Sequence, residues 1–438
     1  MFARLQALWE QINTGLWFVP GLMLLGALLL AWLSMAVSLA GFDPDSLWWL
    51  SSGDRESVAA LLSTLLTSMI TLATLAISIT MVVLTLAAGQ LGPRLIRSFM
   101  ADKSTQFMLG FFLATIVYLV VVLRGVNADL GREESHHVVA TVGAALSLGC
   151  VVLLLFFVHH LGRSIVADTV IERVGRQLDA TIEEMLPKSE NTPSEPASHS
   201  SSHDDGAVFS LVRGGYVQAV DHDALVECAK DFQCQVLLDF RPGHFLIPHG
   251  AHGRVYPASN CSEKLIQGVR NAIAVGGQRS AAQDLEYAIR QLVEVALRAL
   301  SPGINDPFTA IVVIDRLGLC LAEIMRRDPP KAIWQDDEGC TRVVGQPITF
   351  AGLTDAAFNQ IRQSGGRPAI LIQMMAILKQ LAEQARTEEH RQALDEQVGL
   401  VLDAGERCIA AAYDRRPLET RAAEARRHLA AMEHAARS

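Results

Sequence analysis

The chain has 438 residues, half of them hydrophobic and 19% charged, with a formal net charge of −9. An acidic balance excludes nucleic acid as the main partner, and the crowding of apolar residues into the first 162 positions excludes an ordinary soluble globular protein. The seven cysteines form no CxxC pair, which excludes a zinc ribbon or a thioredoxin-like centre and leaves reduced, mostly buried thiols.

Four stretches are long and apolar enough to span a bilayer, roughly residues 16–40, 58–89, 105–123 and 138–161. The first is longer than a signal-peptide core and is preceded by Arg4 alone, so it reads as an uncleaved anchor. The second holds no charged residue from Val58 to Gly89 and carries a file of hydroxyls. Thr64, Thr67, Thr71, Thr74, Ser78 and Thr85 are 3, 4, 3, 4 and 7 residues apart, which puts them on one face of a helix. That file rises about 32 Å, close to the hydrocarbon thickness. It lines either a hydrated path or a helix–helix seam, and the seam is the simpler reading, because Ser and Thr can bond back to their own i−4 carbonyls.

Lys and Arg set the orientation. Arg94, Arg97 and Lys103 follow the second span, and Arg163, Arg173 and Arg176 follow the fourth. The other two connections are poorer in basic residues, so both termini are expected in the cytoplasm. The spans contain almost no ionisable residue, which disfavours a proton-coupled transporter. His159 and His160, at the cytosolic end of the fourth, read as interfacial anchors or as a pH-sensitive gate.

Helical periodicity continues to Met185, suggesting a stalk over residues 163–187 that Pro187 ends. Residues 188–206, rich in Ser, Pro, Glu and His, read as a disordered linker. Short β-like runs at Ala207–Val212, Tyr216–Val220, Gln235–Phe240, Phe245–Ile247 and Gly253–Tyr256, with a helix at Asp221–Asp231, predict a small mixed α/β module over 207–258. His249 and His252 have HxxH spacing, but without an acidic or Cys neighbour they make half a metal site at best, so no metal is assigned.

The rest, 259–438, reads as a helical domain. Helices are expected at 262–274, 280–300, 308–326, 353–363, 368–386, 388–414 and 417–437, with short strands at 341–344 and 348–350. The Glu286→Arg290 and Glu294→Arg298 spacings suggest a solvated face. In RALSPGINDPFTA (Arg298–Ala310), Pro302 and Gly303 stop one helix and Asn305 or Asp306 caps the next, with Pro307 in its first turn. A tight corner explains nearly every residue. The functional reading makes Arg298, Asn305 and Asp306 a ligand or anion site at the helix N-terminus. There is no Walker A loop, HExxH, GxSxG or strand-borne GxGxxG, so neither catalytic residues nor a cofactor are assigned and no enzyme is expected.

LGPRLIRSFMADKSTQFMLGFF (Leu91–Phe112), VHHLGRSI (Val158–Ile165), GGYVQAVD (Gly214–Asp221), RPGHFL (Arg241–Leu246) and RALSPGINDPFTAI (Arg298–Ile311) occur in order along the chain. On these motifs the chain resembles the bacterial predicted-membrane-protein family called domain of unknown function 2254. The resemblance implies an integral membrane protein with an N-terminal helical part and a C-terminal cytosolic part, and it implies no activity; the expected location is the bacterial inner membrane, crossed several times. His244 stands where the family's turn carries an acidic residue, which weakens any ligand role for that turn.

The expected fold is therefore an all-α membrane domain of four transmembrane helices followed by a cytosolic α+β domain, with a small mixed sheet and a helical bundle. The leading functional expectation is an oligomeric, channel-like protein in contact with membrane lipid, with a cytosolic regulatory domain and no nucleic-acid partner. The alternative is a non-conducting membrane-anchored sensor or scaffold whose cytosolic domain binds a protein or a small ligand.

Overall fold

The structure, a computed structural model, describes residues 17–39, 55–91, 102–128, 136–164, 167–188, 206–364 and 366–437. The chain forms two compact units, one within residues 8–166 and the other holding residues 167–438.

The N-terminal unit consists of α1 (Phe18–Leu39), α2 (Arg55–Leu91), α3 (Lys103–Asn127) and α4 (His136–Ser164). All four are long and apolar enough to cross a membrane. Glycine brings α1 against α3. A Cβ on Gly110 would come within 2.8 Å of Met23 Sδ, and one on Gly125 would overlap the Met35 methyl group. Small residues allow this approach where lipid offers no hydrophobic drive for helix association. Tyr118, fully buried, ties three helices together, its hydroxyl lying 3.2 Å from both Ser34 Oγ on α1 and the Val139 carbonyl on α4. At the ends of α3, Asp102 caps Thr105 N and bonds His160 Nε2 at 2.6 Å, while the Arg55 guanidinium takes the Val126 and Asn127 carbonyls. His160 thus has a specific partner beyond the interfacial anchoring read from sequence.

The C-terminal unit begins with α5 (Ala167–Met185). Its Val170, Ile171, Val174, Leu178 and Ile182 are buried, and it packs on α8 (Leu285–Ala299) and α9 (Pro307–Ile324). The segment read as a stalk is therefore a member of the helical bundle. Gly175 leaves room for the Arg316 guanidinium, which pairs with Asp179. Of the expected linker, 189–205 lie outside the described residues, and Lys188 forms a β-bridge with Arg327.

Among the described residues, eight strands make two sheets. They are β1 (Ala207–Phe209), β2 (Gly215–Val220), β3 (Gln235–Leu238), β4 (Phe245–Leu246), β5 (Gly253–Tyr256), β6 (Ile273–Gly276), β7 (Ile333–Gln335) and β8 (Thr341–Val344). The larger sheet runs β1-β5-β3-β8-β7 and the smaller β4-β2-β6. Arg213-Gly214-Gly215 and Arg241-Pro242-Gly243-His244 each carry the chain from one sheet to the other. The module does not close at residue 258, because β6 joins it from the end of an expected helix, and β7 and β8, the latter the strand expected at 341–344, join it from further along the chain. Val236 pairs in parallel with Val343. The segment expected as a strand at 348–350 instead leads into a helix. Helices α6 (His222–Asp231) and α7 (Glu263–Ala272) pack together over a core that includes Leu225, Val236, Val255, Leu265 and Val269.

The bundle is completed by α10 (Phe350–Ser364), α11 (Pro368–Ala382), α12 (Glu388–Cys408) and α13 (Ala412–Arg437). Ser262, Asp306 and Thr387 cap their helices, Asp306 being one of the two cap candidates read from the sequence.

Candidate functional site

The face that α2 turns toward its neighbours carries Val58, Leu62, Met69, Ala73, Ala76, Thr80 and Val83, all buried. At 3.6 residues per turn, the file of Thr64, Thr67, Thr71, Thr74, Ser78 and Thr85 lies about 180° around the helix from that face. All six are exposed on the protomer. The hydroxyls therefore do not form a seam inside the four-helix unit. Thr64, Thr67, Thr71, Thr74 and Thr85 each donate to the i−4 carbonyl at 2.8–3.0 Å. With the hydrogens spent on the helix itself, the face presents oxygen lone pairs outward. Ile70 and Ile77, on the flank of the file, are also exposed. The centre of the unit is filled by Leu62, Phe112, Tyr118, Leu119, Ala140 and Phe157, each nearly or wholly inaccessible.

The Arg298–Ala310 corner has the geometry of a cap. Asn305 takes a left-handed conformation (φ +55°), and Asp306 Oδ1 accepts the N–H groups of Phe308 and Thr309 at 3.1 and 3.2 Å. Its other oxygen accepts the Thr309 hydroxyl at 2.6 Å, and these bonds hold the carboxyl below its ordinary range. The chain's own carboxylate thus occupies the donors that an external anion would need. The half-buried Arg298 gives its carbonyl to Ser301, and no hydrogen bond joins its guanidinium to Asn305 or Asp306 among the described residues. The structure does not assemble these three as an anion site.

A more elaborate polar cluster lies where the 241–244 turn meets α8. Asp284 caps α8 at Tyr287 N (2.9 Å) and receives Arg279 through two nitrogens, at 2.8 and 2.9 Å. Glu286 receives Arg290 and Arg241. Arg241 Nε also points at His244 Nε2 at 3.2 Å, which makes that nitrogen an acceptor on a neutral ring. Burial, then the Arg241 charge, lower the His244 pKa. Burial pushes the Asp284 carboxyl up, more than Arg279 and the Tyr287 N–H pull it down. At Glu286 burial also raises the pKa, but Arg290 and Arg241 outweigh it and hold the carboxyl low. Gly243 (φ +91°) is required here, because any Cβ would overlap Asp284. Gln283 continues the clamp, its amide taking both the N–H and the carbonyl of Val220. The face read from sequence as solvated is thus a half-buried lock between the small sheet and α8. Its groups are spent on one another, and no nucleophile stands beside a base.

The remaining metal-type groupings are structural. His252 Nδ1 accepts Leu211 N at 2.9 Å, so that imidazole is committed to a loop. Asp336, Glu338 and Cys340 bring ligand atoms within 4.8 Å of one another in the β7–β8 turn. Asp336 is already occupied there by the Glu338 and Cys340 N–H groups and by Arg342. Burial pushes the Cys320 thiol up to about 12 and Cys234 up to about 11, as expected of unreactive core cysteines.

The chain is similar to an uncharacterized protein of Mycobacterium bovis and to one of Mycobacterium tuberculosis. Each is 28% identical over 427 residues, covering 95% of this chain and 81% of the relative. No solved structure matches it. The pattern of the family described as predicted membrane protein, domain of unknown function 2254, matches residues 13–380. With that match spanning most of its length and including all four apolar helices, the chain belongs to this family of predicted membrane proteins.

Proposed function

We propose that the protein is a non-enzymatic, channel-like oligomer of the bacterial inner membrane in which the hydroxyl faces of α2 from several copies surround a narrow hydrated path. In this reading both termini are cytoplasmic and the C-terminal unit regulates the path. The observation that carries it is the direction of the hydroxyl file, which points out of the protomer and opposite the face that α2 buries. The protomer's own centre is packed with side chains, so a path needs several copies. An outward wall of oxygen lone pairs suits water or cations better than anions.

The rival is a non-conducting anchor for a sensor or scaffold. What favours it is the internal satisfaction of the hydroxyl hydrogens, which lets the same face lie against lipid or a second helix without water.

Single cysteines distinguish the two, in a background where the exposed Cys340 and Cys408 are replaced by serine. Cysteines at Thr67, Thr71, Thr74 and Ser78 should react with a small water-soluble thiol reagent in intact membranes. Cysteines at the buried Leu62 and Ala73, and at the outward-facing apolar Leu148 and Leu155 on α4, should not. Uniform protection of the file, or a purely monomeric protein in mild detergent, would leave the anchor as the better reading.

A further inference from the structure

The C-terminal unit contains a cavity of about 430 Å³ between the end of α9, the 347–350 segment and the start of α12. That volume lies within the range of small-molecule sites. Its walls are largely apolar, with Leu186, Ile324, Ile348, Phe350 and Leu353 among them. Most of its polar groups are already committed. Arg327 donates to Glu323 and to the Leu186 carbonyl, Glu389 accepts Phe350 N, and the Thr387 hydroxyl caps His390 N.

His390 is the exception. Its side chain lines the cavity beside the Phe350 ring, with centroids 4.7 Å apart, and the residue is 8% exposed. Its Nδ1 is buried and has no hydrogen-bond partner. Buried polar atoms are nearly always paired, so an imidazole without a hydrogen-bond partner in the lining of a cavity calls for one. Burial, with the nearby Arg386 charge, lowers this imidazole to about 4, so the ring is neutral at physiological pH. A neutral imidazole presents one donor and one acceptor, and a hydroxyl can answer either. Asp328, Glu388 and Glu389 also line the cavity, whereas its one guanidinium, Arg327, is paired with Glu323. Glu388 is itself paired with Arg391, and the remaining Asp328 and Glu389 face no unpaired guanidinium in the lining, which disfavours phosphates and carboxylates.

We propose that this cavity binds a small uncharged amphiphile, an alcohol or phenol with an apolar body, whose hydroxyl bonds the His390 imidazole. The site is independent of whether the membrane helices conduct.

The test is photolabelling of the full-length protein in lipid nanodiscs with a diazirine analogue of octanol, followed by peptide mass spectrometry. Label should appear on residues 347–353 or 387–392 and be displaced by excess octanol. In His390→Phe it should fall by about tenfold, the weight of one buried hydrogen bond. His390→Asn, which keeps an amide near the Nδ1 position, should retain most of it. Should His390→Phe fail to fold, Pro347→Trp, a change at an exposed rim position, decides instead by filling the cavity and abolishing the label. Label confined to the four apolar helices, or undiminished by His390→Phe or Pro347→Trp, would overturn the proposal.

Discussion

Replacing Asp284 by alanine removes three interactions at once: the cap on Tyr287 N and the two nitrogens of Arg279. Loss of an N-cap costs about 1 kcal/mol. Truncating one partner of a buried ion pair costs about 3–5 kcal/mol when the other charge is left dry. Here the Asp284 side chain is 4% exposed but that of Arg279 is 21%, so the guanidinium can recover part of its hydration. The lower half of that range applies, about 3–4 kcal/mol, and with the cap the total is about 4–5 kcal/mol. Asp284→Asn keeps an oxygen for the cap and removes a charge that burial already disfavours, so it should cost about half as much. Urea-dependent proteolysis of the full-length protein, with cleavage sites mapped by mass spectrometry, reads the stability of the 207–299 region directly. A loss below about 1 kcal/mol in Asp284→Ala would refute the lock and return these residues to the solvated face that their sequence spacing suggests.

Acid should loosen the α/β part. His222 stacks on Trp334, with ring centroids 3.8 Å apart and planes 8° apart, and burial lowers its pKa from 6.5 to about 4. The unfolded chain therefore binds the proton more readily, and stability present above pH 6.5 is lost as pH falls toward 4, by up to about 3 kcal/mol. His222→Phe keeps a ring on Trp334 and should flatten that dependence in the same proteolysis assay; an unchanged slope would assign it to another group. For orientation, a reporter active only in the cytoplasm should work when fused after Lys188 and fail at Asp129. The reverse pattern would place the C-terminal unit on the other side of the membrane.

The sequence by itself determined the features whose physics is local. Four apolar runs of bilayer length became α1 to α4, because hydropathy and backbone self-satisfaction act within one segment. The cap at Asn305 or Asp306 was legible, and Asp306 supplies it, because a cap involves only the next three residues. The family motifs were legible for the same reason, being contiguous strings. The i,i+4 spacing of Glu286 and Arg290 was visible too, but not that Arg241, from a turn 45 residues away, closes on the same carboxylate.

Only the tertiary structure decided partners and directions. The pairing of β3 with β8 joins residues more than 100 positions apart, and no local pattern encodes a choice among eight short strands. Residues 273 and 274 read as the end of a helix, because the demand for a third strand beside β2 comes from another part of the chain. The amphipathic α5 looked like a stalk, since periodicity reveals an apolar face but not what covers it. The unpartnered imidazole of His390 lies in a cavity lining that only the tertiary fold assembles, from four separated segments. The hydroxyl file shows the same division. Steps of three and four placed six hydroxyls on one side of a helix, and packing decided that this side points out of the protomer, because the opposite side buries the larger apolar surface.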